Sequence, residues 1–261
     1  MRLTVVGSAG STAGPDSPAS CYLLEADDAA GRTWRIVLDL GSGAIGPLQR
    51  HCDPTRVDAV LVSHGHPDHC ADLAALSVLR RYGPAADEEL PPLPLYGPEG
   101  LDRRIVQVSG SEDAAAADTF DFTAVGDGDT AAVGPFSLTW ARAWHPVPAV
   151  AVRVAGPSAI TEGATTLVFT GDTDRCDDVL GLARGCDVLL AEAGWAHSRV
   201  NPEGIHMNGT QAGTLARDAG VGELIVTHVA SWVDPAATLE LAAVAYGAPV
   251  ALATPGETHV L

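Results

Sequence analysis

Six consecutive residues, His64-Gly65-His66-Pro67-Asp68-His69, set four potential metal ligands directly after the apolar run Val57 to Val62 and directly before a helical pattern. In an extended segment, residues two apart project to the same side, so His64 and His66 can grip one cation. Asp68 and His69, turned by entry into the helix, point elsewhere and can serve a second. Two cations about 3.5 to 4 Å apart suit in-line displacement at phosphorus. One short loop cannot complete two such sites, so the other ligands are expected at other strand ends. Three residues meet that criterion: His145 after Phe136 to Ala143, Asp172 after Leu167-Val168-Phe169-Thr170-Gly171, and His228 after Leu224 to Thr227.

The periodicity around these positions predicts short strands at Leu3 to Val6, Cys21 to Glu25, Trp34 to Leu38 and Val57 to Val62. Further strands are expected at Phe136 to Ala143, Val150 to Ala155, Thr165 to Thr170, Asp187 to Ala191, Leu224 to Thr227 and Val250 to Ala253. Helices are expected at Ile45 to His51, at His69 to Tyr82 on Leu73, Leu76, Val78 and Leu79, and at Val179 to Ala183, Thr210 to Ala219 and Pro235 to Ala245. Gly83 to Pro94, with four prolines, reads as an exposed loop, and acidic Ser111 to Asp118 as another surface segment. No linker divides the chain, so residues 1–261 are read as one α/β domain with quasi-duplicated halves of about 1–135 and 136–261.

Charge narrows the partners. Arg is the only basic residue type, 15 against 33 acidic residues for a net charge of −18, scattered singly or in the pairs Arg80-Arg81 and Arg103-Arg104. A long nucleic acid would meet a repelling field, so a small phosphodiester substrate is the expected partner. At 46% apolar the composition excludes a disordered chain, and no apolar run is long enough for a membrane helix or a signal peptide. A cytoplasmic location is the default, and the five cysteines, an odd number without a CxxC pair, are read as reduced thiols. Cys70 suits a small buried hydrophobe. The oligomer is left open, a homodimer included.

The order His64-Gly65-His66-Pro67-Asp68-His69, His145, Thr170-Gly171-Asp172-Thr173, Thr227-His228 resembles the metallo-β-lactamase superfamily over essentially the whole chain. That resemblance implies an αββα sandwich of two mixed β-sheets flanked by helices. It implies His64, His66 and His145 on one divalent ion, Asp68, His69 and His228 on a second, and Asp172 bridging. Zn²⁺ is the first expectation for the pair, and Mn²⁺ or Fe²⁺ would also suit these ligands. Asp39, in Leu38-Asp39-Leu40-Gly41, matches a buried acid that supports the ligand loop in that family.

Glu192-Ala193 and His206-Met207-Asn208-Gly209-Thr210-Gln211 resemble the phosphodiesterase branch that includes tRNase Z, although the usual His-Ser-Thr here reads His206-Met207-Asn208 and the long insertion that holds tRNA is missing. In that branch His206, oriented by Glu192, would protonate the leaving alkoxide. Gly14 to Ser20, Leu48 to His51, Asp68 to Leu73, Arg80-Arg81-Tyr82 and Leu182 to Gly185 are similar to actinobacterial cyclic-nucleotide phosphodiesterases of this fold. This implies hydrolysis of 3′,5′-cyclic nucleotides such as cyclic AMP by metal-activated hydroxide, with Asp68 and Asp172 helping to orient it. A tRNase Z-like RNA-processing or general phosphodiesterase is the alternative; a thioester or lactone hydrolase and a non-catalytic metal-binding protein follow. His51 and His259 are read as structural or exposed, His197 is an even choice between pocket and solvent, and Gly7 to Ser11 is a weak phosphate-loop candidate.

Overall fold

The structure, a computed structural model, describes residues 1–110, 118–197 and 200–261. Its strands are, in chain order, β1 (Arg2–Gly7), β2 (Ala9–Gly10), β3 (Cys21–Asp27), β4 (Thr33–Leu38), β5 (Ala59–Leu61), β6 (Leu93–Gly97), β7 (Phe120–Ala124), β8 (Thr130–Val133), β9 (Phe136–Arg142), β10 (Val150–Pro157), β11 (Ala164–Phe169), β12 (Val188–Glu192), β13 (Glu223–Thr227), β14 (Val229–Ala230), β15 (Val250–Leu252) and β16 (Thr258–Val260). The helices are α1 (Ile45–Leu48), α2 (Pro67–Cys70), α3 (Asp72–Tyr82), α4 (Leu101–Ser109), α5 (Asp177–Ala183), α6 (Gly209–Ala219) and α7 (Pro235–Tyr246).

Two seven-stranded sheets form, in the orders β16-β1-β3-β4-β5-β6-β7 and β15-β13-β12-β11-β10-β9-β8. Each mixes antiparallel and parallel pairs: β3 with β4 is antiparallel and β4 with β5 parallel, as β10 with β11 is antiparallel and β11 with β12 parallel. Central strands are buried on both faces, and so read as nearly continuous apolar runs. In β4, Ile36 and Leu38 face the core between the sheets while Val37 faces α1, α3 and α4; in β12, Val188 and Leu190 point inward while Leu189 and Ala191 meet α5 and α6. The result is an αββα sandwich. Each Leu or Ile taken fully from water adds about 1.5–3 kcal/mol before the entropy cost of ordering the chain. The chain moves from the first sheet to the second between β7 and β8, and β16 returns to the first sheet beside β1.

Several expected boundaries shift for local reasons. The helix expected from His69 to Tyr82 is two, because the Asp72 N–H donates to the Leu40 carbonyl at 3.1 Å, not to the preceding turn. Val78, expected among its core positions, is 52% exposed. Ile45 to His51 is helical only to Leu48; beyond it the N–H groups of Gln49, Arg50 and His51 reach three residues back in successive tight turns. The strand expected at Val57 to Val62 narrows to β5, since Pro54–Arg56 forms a 3₁₀ turn that delivers Val57.

Gly83 to Pro94 is not wholly an exposed loop: Ala86–Glu88 is a 3₁₀ turn, Ala85 and Leu93 are buried, and Leu93 and Pro94 open β6. Of Ser111 to Asp118, only Asp118 lies within the described residues, and it is exposed. All five cysteines are free; Cys21, Cys70 and Cys186 are buried. Among the described residues, no helix is long and apolar enough to cross a membrane.

Candidate metal centre

The loops that leave β5, β9, β11 and β13 converge at one end of the two sheets, and each carries a predicted ligand there. His64 Nε2 lies 2.9 Å from His66 Nδ1, and His145 Nε2 lies 3.2 Å from the same atom. Asp172 Oδ2 stands 3.7 Å from His64 Nε2. On the other side, His69 Nε2 and His228 Nε2 are 3.1 Å apart, and Asp68 Oδ2 is 3.3 Å from each. Asp172 Oδ1 is 3.2 Å from both of these imidazoles. The seven side chains thus form two clusters that share Asp172, one carboxylate oxygen to each.

This donor set fits divalent cations. Imidazole nitrogens facing one another at these distances without an intervening donor repel, whereas a tetrahedral ion with bonds of about 2.0–2.1 Å holds its ligands about 3.3 Å apart. Asp172 Oδ1 is buried and has no hydrogen-bond donor, a costly arrangement unless a positive charge meets it. Burial pushes His64 well below the ordinary imidazole range and also lowers His66 and His145, which keeps their lone pairs available. Burial opposes ionisation of Asp68 and Asp172, but the surrounding imidazoles outweigh it and hold both below the carboxylate range.

Neighbouring groups aim these rings. His69 Nδ1 donates to Asp39 Oδ2 at 2.6 Å, which turns Nε2 to the cluster; His145 Nδ1 donates to the Ile205 carbonyl at 2.8 Å with the same effect. Asp39 in turn accepts from Ser20 Oγ at 2.8 Å and from the Ser63 N–H at 2.7 Å. Asp39 and His228 have φ of 56° and 55°, left-handed values that Asp and His tolerate better than most residues and that cluster at functional sites. Two glycines permit the close approach: a Cβ on Gly41 would stand 1.9 Å from the Asp68 carbonyl oxygen, and one on Gly10 2.2 Å from that of His228.

His206 borders both clusters. Its Nδ1 donates to Glu192 Oε1 at 2.9 Å and lies 3.7 Å from Asp172 Oδ2. Glu192 is buried and also accepts from the Thr173 N–H at 2.9 Å and the Gly194 N–H at 2.8 Å, so its position is over-determined. Burial works against the His206 imidazolium, but the Glu192 charge and hydrogen bond, with Asp172, raise its pKa to about 9. Met207 is buried, and Asn208 caps α6 by accepting from the Gln211 N–H at 3.0 Å, with the Gln211 side chain returning the bond to the Asn208 N–H. The departure at His206-Met207-Asn208 therefore leaves the helix start well capped.

Of the residues set aside, His51 and His197 are exposed and His259 lies in β16. Gly7 to Ser11 opens no helix; its Gly10 packs on His228, and the Ser11 N–H lies 3.4 Å from His228 Nε2. Three contributors escaped the sequence reading: the Ile205 carbonyl; Asp174, which accepts from the Gly204 N–H at 2.9 Å and from Gln211 at 3.0 Å; and Arg104, whose Nε donates to the Gly65 carbonyl at 2.9 Å. Asp174, two residues beyond Asp172 on the same strand-end loop, could have been found from that spacing; a carbonyl and a distant Arg leave no local signal.

Residues 34–229 match the family described as Beta-lactamase superfamily domain. An uncharacterized protein of Mycobacterium leprae is 40% identical over 99% of this chain and 88% of its own length. The Probable metallo-hydrolase YhfI of Bacillus subtilis is 28% identical over 88% of this chain and 87% of its own. The crystal structure of YhfI, a metallo-beta-lactamase fold protein from Bacillus subtilis, superposes with a TM-score of 0.84 at 25% identity, covering 99% of this chain and 98% of that one. Ribonuclease BN of Escherichia coli O157:H7 is 29% identical over 76% of this chain and 79% of its own.

Proposed function

The chain belongs to the β-lactamase superfamily, and from the site it carries we infer that it is a dinuclear metal-dependent phosphodiesterase that hydrolyses 3′,5′-cyclic nucleotides to 5′-nucleotides. The observation that carries this reading is His206, held on Glu192 beside two clusters that each offer four possible ligands. A carbonyl substrate can expel its leaving group with metal help alone, whereas a ribose alkoxide gains from a positioned acid.

His64, His66 and His145 would hold one ion, Asp68, His69 and His228 the other, with Asp172 between them; zinc suits this set. Two divalent cations bound there supply charge that offsets the phosphate oxygens and acidifies water near neutral pH. As the bond from phosphorus to the 3′ oxygen breaks and one from phosphorus to a water oxygen forms, His206 gives its Nε2 proton to the departing 3′ oxygen. Glu192 keeps the ring aimed and stabilises its charged form. Asp68 and Asp172 would orient the attacking oxygen.

Relatedness to a ribonuclease supports cleavage of phosphodiesters and keeps an RNA-processing role as the second reading. The net charge of −18 and the absence of Lys favour a small substrate over a polyanion. The test is a panel of 3′,5′-cyclic nucleotides, 2′,3′-cyclic nucleotides, precursor tRNA and a thioester, each with Zn²⁺ and Mn²⁺. Fastest turnover is expected on the 3′,5′-cyclic nucleotides; efficient tRNA trimming with negligible cyclic-nucleotide turnover would reverse the order. His206→Ala should cost about 10²-fold or more in kcat on a cyclic nucleotide and far less on bis(p-nitrophenyl) phosphate, whose phenolate leaves unaided. Equal losses on the two would mean that His206 positions phosphate and that the acid lies elsewhere.

A further inference from the structure

The two Arg pairs of this acidic chain are used differently. Arg80 is buried and stitches the fold by donating to the carbonyls of Thr55 and Pro91, while the Arg81 guanidinium lies 5.0 Å over the ring of its exposed neighbour Tyr82. On α4, Arg104 braces the ligand loop at Gly65 and donates to Gln107 Oε1 at 3.2 Å. Arg103 is exposed, and among the described residues it forms no ion pair or hydrogen bond. Its guanidinium folds back over the start of the helix, where a Cβ on Gly100 would stand 3.3 Å from Nη2.

Arg103 lines a cleft of about 380 Å³ that runs from His66 of the first ligand cluster along α4. Glu99, Arg103 and Gln107 repeat every four residues and all reach this cleft, and Pro98 and Pro148 add apolar wall. With its Oε1 taken by Arg104, Gln107 offers its amide N–H groups. The cleft therefore presents a forked cation, a carboxylate and an amide donor around a volume in the range of small-ligand pockets, directly beside the expected phosphate position.

We propose that this cleft is the base subsite of the enzyme and that it favours guanine. The proposal rests on the phosphodiesterase reading, since a phosphate at the metal centre sends its nucleoside past His66. Guanine O6 and N7 are two acceptors that match the Arg103 fork, and its N1–H and N2 amino donors match the Glu99 carboxylate. Adenine presents an amino group where guanine has O6, and so sets a donor against a donor.

The test is calorimetry on the zinc-loaded protein with 5′-GMP, 5′-AMP and ribose 5-phosphate. GMP should bind about ten-fold tighter than AMP, and ribose 5-phosphate weakest, as expected for one forked contact. Arg103→Ala should reduce GMP to the AMP level at unchanged metal content. Arg103→Lys, which keeps the charge without the fork, should do the same. Equal affinity of the three ligands for the unaltered protein, or a variant that weakens all three together, would overturn the base subsite, the latter making Arg103 a phosphate contact. Failure to hydrolyse any 3′,5′-cyclic nucleotide while GMP discrimination persists would remove the cyclic-nucleotide reading and leave the base cleft supported.

Discussion

The two ligand clusters share Asp172 and little else. Asp68, His69 and His228 are all buried, and His69 is fixed by Asp39, itself gripped by Ser20 and Ser63. The backbone at Asp39 and His228 is held in the left-handed region, and Gly10 and Gly41 admit neighbouring carbonyls. The first cluster has one fully buried imidazole, His64; His66 and His145 are half-buried, His145 aimed by a single carbonyl and His66 next to the Gly65 carbonyl that Arg104 holds, and His66 opens onto the α4 cleft. One half of the centre is welded to the core and the other borders the cleft along α4. Rigidity there and access here are separate tasks, given to separate loops.

The harshest way to break this division is to remove what the halves share. Asp172→Ala should strip both ions and lower kcat/KM by about 10³-fold or more, because the cations account for several kcal/mol of barrier lowering. Elemental analysis would check it: one ion retained at full occupancy would mean that Asp172 does not bridge. His145→Ala cuts only the open half, and should leave close to one ion per chain, retained in the buried cluster. Loss of both ions would show that the first cluster organises the second. The smallest effect is expected from Asp39→Asn, which leaves every ligand in place and removes the charge from the group that accepts from His69, Ser20 and Ser63. It should weaken binding at the buried cluster by about 10–100-fold, read by competition with a chelator, with affinity at the other cluster unchanged. A uniform weakening of both would erase the distinction.

Much of this centre was legible along the chain because metal ligands must be particular residue types at the ends of strands, and strand ends announce themselves by apolar runs that stop. His64, His66, Asp68, His69, His145, Asp172 and His228 all obey that rule, and the structure gathers all seven. The elements that escaped lack such punctuation. β6 carries Pro94 inside a strand paired on both sides, where a proline ordinarily argues against one. α4 starts at Gly100 without a side-chain cap and buries only Leu101 and Ile105.

What the amino-acid order by itself determined was the donor inventory, the αββα expectation and the acidic net charge, since residue type, spacing and charge are one-dimensional quantities. Only the tertiary structure decided which Asp172 oxygen faces which cluster, that Ile205 aims His145, and that Arg103 lines one cleft with His66 while Arg80 is consumed by the fold. These depend on distances between loops far apart in the chain, and such distances exist only once packing of the two sheets has fixed where each strand ends.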